Sequence, residues 1–245
     1  MPPTNDTAAS PLLHAILNLS TFHREHEKFY ASAPREFAVT LQRHARTLQS
    51  LADKWRTATP STRTPFSPYE GAEDLNSPAA IQLDGVLFME GEGRPPEISH
   101  LIRDLRTAAQ DQRETGEWLA TAMQASWDMA TTLVAIDGLA DVLGERHRII
   151  ANDWQAAQLN ELMSHLLDRA ADILERVDFT PAALREDLAH RRVCIDLLYS
   201  AAEIVSHASD LCSDSAGLVH DNERRWRTFH TRVGQIVADT QTTDR

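Results

Sequence analysis

Apolar residues recur at alternating steps of three and four along most of this chain, and this spacing constrains the fold more than any other feature. A helix of 3.6 residues per turn gathers residues spaced in this way on one face. The clearest such stripe comprises Ile149, Asn152, Ala156, Leu159, Met163, Leu166, Ala170, Ile173 and Val177. The spacing therefore predicts an all-α protein.

We predict a bundle of five to six mostly antiparallel helices. The six apolar stripes cover residues 12–30, 37–55, 101–133, 149–177, 184–209 and 219–236. The first two helices are expected to form a hairpin with its turn at Ser32–Pro34. Later breaks are expected between Gly138 and Gly144, at Thr180–Pro181 and at Ser213–Gly217.

A long irregular excursion is predicted over residues 59–96, between helices 2 and 3. This stretch holds six of the eleven prolines and four of the nine glycines, which disfavour regular helix. Within it, the apolar segment Ala79–Met89 is compatible with a short helix or a strand. Loops of this length are usually lids or linkers, and the apolar content favours packing on the bundle, with room for a small-molecule ligand underneath.

The chain of 245 residues is expected to form a single helical-bundle domain over residues 10–239. Residues 1–9 and 240–245 are expected to be flexible tails.

Charge narrows the range of partners. The formal net charge of −12 repels nucleic-acid phosphates and anionic lipid over most of the surface, so we expect neither a nucleic-acid nor a membrane partner. The 24 basic residues comprise 22 Arg and two Lys, a bias that suggests a GC-rich bacterial genome.

No targeting segment or bilayer-spanning apolar run is visible, so we expect a cytoplasmic protein. Cys194 and Cys212 would be about 27 Å apart on one helix, which is beyond disulfide reach. They are expected to be buried, reduced thiols.

The candidate site is a group of polar residues on the inward face of the predicted hairpin, namely His23, His26, Tyr30 and His44. In a hairpin turning near residue 32, His23 and His44 differ in axial level by about 3 Å. Three imidazoles and a phenol suit a transition metal, an axial haem ligand or proton transfer, with Glu27 orienting a histidine from behind. The alternative is that these histidines are half-exposed and satisfied by backbone or water.

Other mechanisms find little support. Glu97 and His100 form the only Glu-x-x-His pair, whereas a ferritin-like di-iron centre needs two. Nucleophile-elbow, Walker and dinucleotide glycine motifs are absent from the sequence. The arginines at 224, 225, 227 and 232 suit a phosphate or an acidic partner, or else are solvated while Trp226 and Phe229 pack inward.

Two functions follow from these observations, and whether the protein is an enzyme stays open. The first is protein–protein interaction with self-association, because Asn152 interrupts a heptad-like stripe and such residues set register in helical assemblies. The alternative is a metal- or haem-dependent, oxidoreductase-like enzyme that uses His23, His26 and His44.

Overall fold

A computed structural model of the chain describes residues 6–57, 82–83, 86–87, 94–133, 140–180 and 188–243, with side chains at only a few positions of the first helix before residue 35. Four helices account for nearly all of these residues, which confirms the all-α prediction. They are α1 (Asp6–Thr57), α2 (Pro96–Leu133), α3 (Ala140–Arg176) and α4 (Leu188–Thr243). The strands β1 (Gln82–Leu83) and β2 (Val86–Leu87) pair antiparallel, with Gln82 opposite Leu87.

Two predicted breaks are wrong. The helix α1 is continuous through Ser32–Pro34, and α4 is continuous through Ser213–Gly217. The apolar phase is unbroken at both places, because Tyr30 and Phe37 are two turns apart and Ser209 and Val219 are linked by Cys212 and Ala216 at steps of three and four. An unbroken apolar phase outweighs local turn propensity.

The predicted break between Gly138 and Gly144 falls partly on residues 134–139, which lie outside the described ranges, and α3 is helical from Ala140 through Gly144. The predicted helix start at Thr180–Pro181 borders residues 181–187, which lie outside the described ranges. Most of the excursion 59–96 also lies outside them. Of the predicted tails, residues 1–5 and 244–245 lie outside the described ranges, whereas residues 6–9 belong to α1 and residues 240–243 belong to α4.

The chain divides into two compact units. Unit 1 comprises residues 1–37, 113–161 and 211–245, and unit 2 comprises residues 38–112 and 162–210.

Unit 1 contains antiparallel pairs of helices. Thr21 on α1 lies 3.2 Å from the His230 ring nitrogen on α4, and Arg225 on α4 pairs with Glu145 on α3. Because residue numbers rise on one helix while they fall on its neighbour, α1 with α4 and α3 with α4 run in opposite directions. The apolar core here includes Leu119, Ala156, Ala157 and Val219, with Trp118 and Leu218 packed against it.

Unit 2 is built in the same antiparallel way. The Ser209 hydroxyl on α4 donates to the Ala38 carbonyl oxygen on α1 at 2.8 Å, and Tyr199 donates to Asp53 at 2.5 Å. On the opposite pair, Arg106 on α2 binds Asp172 on α3 at 2.6 Å. The core of unit 2 includes the buried side chains Leu41, Leu48, Leu51, Trp55, Ile98, Leu105, Leu174, Phe179 and Leu198.

In unit 2 a buried arginine binds a backbone carbonyl group at the carboxyl end of α1. Arg191 is 6% exposed, and its guanidinium donates to the carbonyl oxygen of Trp55 in the last turn of α1. The last four carbonyls of a helix lack partners within the helix, and a positive charge is favourable there. Trp55 also packs edge-to-face on Phe179, with ring centroids 5.4 Å apart.

Close approach of α2 to α3 in unit 1 depends on Gly116. A Cβ atom at this position would lie 3.2 Å from the carbonyl oxygen of Ala157. We expect Gly116→Ala to lower the free energy of unfolding by about 1 kcal/mol or more, because backbone rather than a flexible side chain must move. Chemical denaturation measures this effect.

Gly217→Ala is the matched control, because nothing lies within 4 Å of a Cβ added there. This exposed position in α4 should gain about 0.5–1 kcal/mol from helix propensity. An equal gain in Gly116→Ala would contradict the account of α2–α3 packing.

Candidate functional site

The predicted histidine cluster depends on a turn that the structure does not have. His23, His26, Glu27 and Tyr30 belong to α1, but their side chains lie outside the described residues. His44 belongs to the same continuous helix, and about six helical turns separate it from His23. The hairpin that would bring them to one level is therefore not formed, and the roles of these residues stay predictions.

His44 lines a surface groove between α1 and α2 in unit 2. The groove has a volume of about 390 Å³ and is lined by Arg43, His44, Thr47, Glu97, Ile98, His100, Leu101 and Asp104. It thus contains the single Glu-x-x-His pair, and the Oε2 atom of Glu97 is buried with no hydrogen-bond partner among the described residues.

The described residues of this groove include no group of three metal ligands. Across the described residues, no three His, Cys, Asp or Glu side chains are placed to hold a metal ion. Histidine and carboxylate ligands must converge at about 2 Å from a metal ion. The predicted transition metal or haem therefore gains no support from the side chains that the structure describes.

A Cys–His–Asp arrangement in unit 2 resembles a nucleophile with its base, but its geometry does not suit catalysis. His190 Nε2 lies 3.7 Å from Cys194 Sγ and 3.2 Å from Asp178 Oδ2. A catalytic imidazole uses one ring nitrogen for the nucleophile and the other for the carboxylate. Here both contacts fall on the same nitrogen.

The electrostatics of this group agree with a structural role. Burial raises the pKa of the Cys194 thiol, which is 1% exposed. The Thr180 hydroxyl donates to Asp178 at 2.5 Å and is the main cause of the lowered pKa of that carboxyl. Both cysteines are buried, and neither is in a disulfide.

A buried polar network lies in unit 1, and Asn222 of α4 is its centre. The Asn222 side chain is 0% exposed, and its Nδ2 donates to Asp153 Oδ1 at 2.6 Å and to the Ile149 carbonyl oxygen at 3.2 Å. Its Oδ1 accepts a hydrogen bond of 2.9 Å from Asn152 Nδ2. Every contact joins α4 to α3, so the carboxamide fixes the register of the two helices.

Arg146 is buried beside this network. It is 1% exposed, and its guanidinium carbon lies 5.2 Å from the Trp226 ring centroid and 5.5 Å from that of Phe229. These distances suit cation–π attraction. Burial lowers the pKa of Arg146 to about 10, which leaves the side chain protonated at neutral pH.

Asp153 sits two turns after Arg146 on α3 and is 5% exposed. Burial raises the pKa of its carboxyl to about 7, while the Asn222 hydrogen bond and the Arg146 charge act in the opposite direction. Desolvation of the carboxylate thus exceeds the stabilisation that its neighbours give.

Sequence reasoning missed Arg146 and Asp153. The predicted stripe on α3 ran through Ile149, Asn152 and Ala156, whereas the buried face includes Arg146, Ile149, Ile150, Asp153, Ala156, Ala157 and Asn160. The predicted face was thus rotated by about one residue. Arg146 and Asp153 share the period of the buried face, but their charge removed them from a stripe defined by apolar residues.

Three of the four arginines that the sequence singled out on α4 pair with carboxylates of the same chain. Arg224 and Arg225 both bind Asp221 at 2.7 Å, Arg225 also binds Glu145 at 2.9 Å, and Arg227 pairs with Glu223. Trp226 and Phe229 are each 1% exposed, which confirms the reading in which they pack inward.

An aromatic surface lies on the outside of unit 1. Trp127 on α2 is 50% exposed and Trp154 on α3 is 49% exposed. The His147 ring lies 6.2 Å from the Trp127 ring and two helical turns before Trp154 on the same side of α3. Trp127, His147 and Trp154 are together called the aromatic surface below.

No protein-family model, curated protein or solved structure matches this chain. Over the described residues, no helix combines the length and apolar character needed to cross a bilayer.

Cys194 provides a test of the Cys–His–Asp group. Because its thiol is buried and its pKa is raised, we expect Cys194 to react with iodoacetamide no faster than the buried Cys212. Mass spectrometry of the two cysteine peptides over time measures both rates. Rapid alkylation of Cys194 alone, lost in His190→Ala, would instead indicate an activated nucleophile.

Proposed function

We propose that this is a self-associating helical protein that acts through protein–protein interaction, with the aromatic surface as the contact between two copies. The main support is that two tryptophans of unit 1, Trp127 on α2 and Trp154 on α3, are half-exposed. Tryptophan is the side chain most enriched among residues that dominate binding energy, and exposed apolar patches mark contact sites.

Charge favours a second copy as the partner. Between Glu145 and Glu161 the only acidic residue is Asp153, which is buried, so the exposed side of α3 there presents no carboxylate. On α2 the same holds from Trp118 to Trp127. Two chains of net charge −12 repel each other least where carboxylates are absent.

Asn152 does not contribute to this proposal, although it motivated self-association from the sequence. Its carboxamide donates to Asn222 and Asp221 within the same chain, at 2.9 and 3.2 Å. The residue therefore sets the register of α3 on α4, and the support for association comes from the outer face of α3.

Of the alternative functions, a metal- or haem-dependent enzyme has no described contact in its favour. Elemental analysis and an absorption spectrum of protein purified without chelators separate the two functions. Near-stoichiometric metal or a Soret band would favour the enzyme.

We also propose a cytoplasmic location and a bacterial source. Cys194 and Cys212 are buried and not joined in a disulfide, as most cysteines of reducing compartments are. The source rests on the excess of arginine over lysine alone.

Removal of both tryptophans tests the proposed contact. We expect the wild-type chain to shift from monomer toward dimer with rising concentration in sedimentation equilibrium. Trp127→Ser combined with Trp154→Ser should weaken this association by more than about tenfold, because truncation of a central interface tryptophan costs about 2 kcal/mol or more.

The matched control is Leu188→Ser combined with Val193→Ser, which removes exposed apolar side chains of unit 2 that are 63% and 55% exposed. This variant should associate as the wild type does. A wild-type chain that stays monomeric throughout, or a tryptophan variant that associates normally, would refute the proposal.

A further inference from the structure

Three polar side chains in the core of unit 1 are almost completely enclosed. Arg146, Asp153 and Asn222 are 1%, 5% and 0% exposed, and they join α3 to α4 through the 2.6 Å hydrogen bond between Asn222 and Asp153. Charged residues are rarely buried to this extent, because leaving water costs several kcal/mol per ion. The titration of Asp153 therefore changes the charge of a site that water does not reach.

We propose that Arg146, Asp153 and Asn222 form a proton-operated latch between α3 and α4. The latch is tightest when Asp153 carries a proton, and it loosens when Asp153 is ionised. In the protonated state the carboxyl still accepts the Asn222 hydrogen bond. Protonation removes the desolvation cost of a buried anion, which exceeds the attraction to Arg146 that is lost with it.

Among the described residues, one charged side chain affects the ionisation of Asp153. Arg146, on the same helix, is the only charge among the described residues that shifts the pKa of Asp153. On α4, Asp221 is held by Arg224 and Arg225, and Arg225 also binds Glu145 of α3. These groups pair with one another on the outer side of the helices.

The direction of the pH dependence follows from linkage. The pKa of Asp153 is about 7 in the folded chain against 3.8 for an ordinary Asp, so the fold binds this proton more tightly than the unfolded chain does. Its stabilising effect is complete below the ordinary pKa and is lost as pH rises through about 7. Asp178 and Asp221 have lowered pKa values, so their contributions to the pH dependence of stability fall at lower pH.

The latch lies next to the proposed contact. Arg146 precedes His147 and Asp153 precedes Trp154, so loosening of α3 would disturb the aromatic surface and weaken self-association as pH rises. This consequence alone rests on the proposed function. The latch itself is tested on dilute, monomeric protein, so that its failure and the failure of self-association are distinguishable.

Amide hydrogen exchange followed by mass spectrometry provides that test. With intrinsic exchange rates corrected, the opening constant of the unit 1 segments of α3 and α4 should rise by up to about tenfold per pH unit between about pH 5 and pH 7, then level off. Unit 2 should lack this rise. An equal rise in both units, or none in unit 1, would overturn the proposal.

Asp153→Asn keeps the side-chain size and removes the titration, so the rise in unit 1 should disappear. Asp214→Asn, at an exposed position of unit 1, is the matched control and should keep the rise. Retention of the rise in Asp153→Asn would refute the latch.

A titration of the wild-type chain avoids the risk that Asp153→Asn fails to fold. The Asp153 carboxyl carbon, followed by nuclear magnetic resonance, should titrate near pH 7, and Arg146→Met should move its midpoint to higher pH because a neighbouring positive charge is lost. A midpoint near the ordinary value for aspartate would contradict the proposal.

Discussion

The hydrogen bonds of Asn222 set the register of α3 against α4 in unit 1. The buried carboxamide donates to two acceptors on α3 and accepts from Asn152, so all of its contacts cross the same helix pair. A shift of α3 by one turn would leave Asn222 and Asp153 without partners, and each unpaired buried polar group costs about 1–3 kcal/mol. This register directs Arg146 and Asp153 inward, and it leaves Trp154 on the outer face.

The two units use different means to join their helices. Unit 1 has a buried network in which Asn222 of α4 binds Asp153 and Asn152 of α3, with the buried Arg146 beside it. Unit 2 has a largely apolar core with Arg191 bound to the last turn of α1, while other polar contacts, such as Tyr199 with Asp53 and Arg106 with Asp172, lie at its surface. Among the described residues, the one buried carboxyl, that of Asp153, accordingly lies in unit 1.

Hydrophobic periodicity was sufficient to predict the all-α fold class and much of the core. Two helix ends were predicted wrongly, because residues typical of turns were given more weight than the apolar spacing. Ser32–Pro34 and Ser213–Gly217 both lie within unbroken apolar stripes. The candidate site was predicted less well. The convergence of His23 and His44 required a turn that α1 does not have. Arg146 and Asp153 were missed because the core-facing positions were identified by apolar residues alone. Exposure of Trp127 and Trp154 depends on packing, which sequence alone does not give.

In our proposal the helix α3 has two faces, with the polar latch on its inner face and the contact surface on its outer face. The tryptophan indole resonances of the wild-type chain test it without any substitution, because Trp127 and Trp154 lie on the contact surface whereas Trp55 and Trp226 are buried. From about 10 micromolar to about 1 millimolar, where weak dimers form, we predict that the Trp127 and Trp154 signals shift while the Trp55 and Trp226 signals stay fixed. Shifts of the buried indoles, or no concentration dependence at all, would contradict the account.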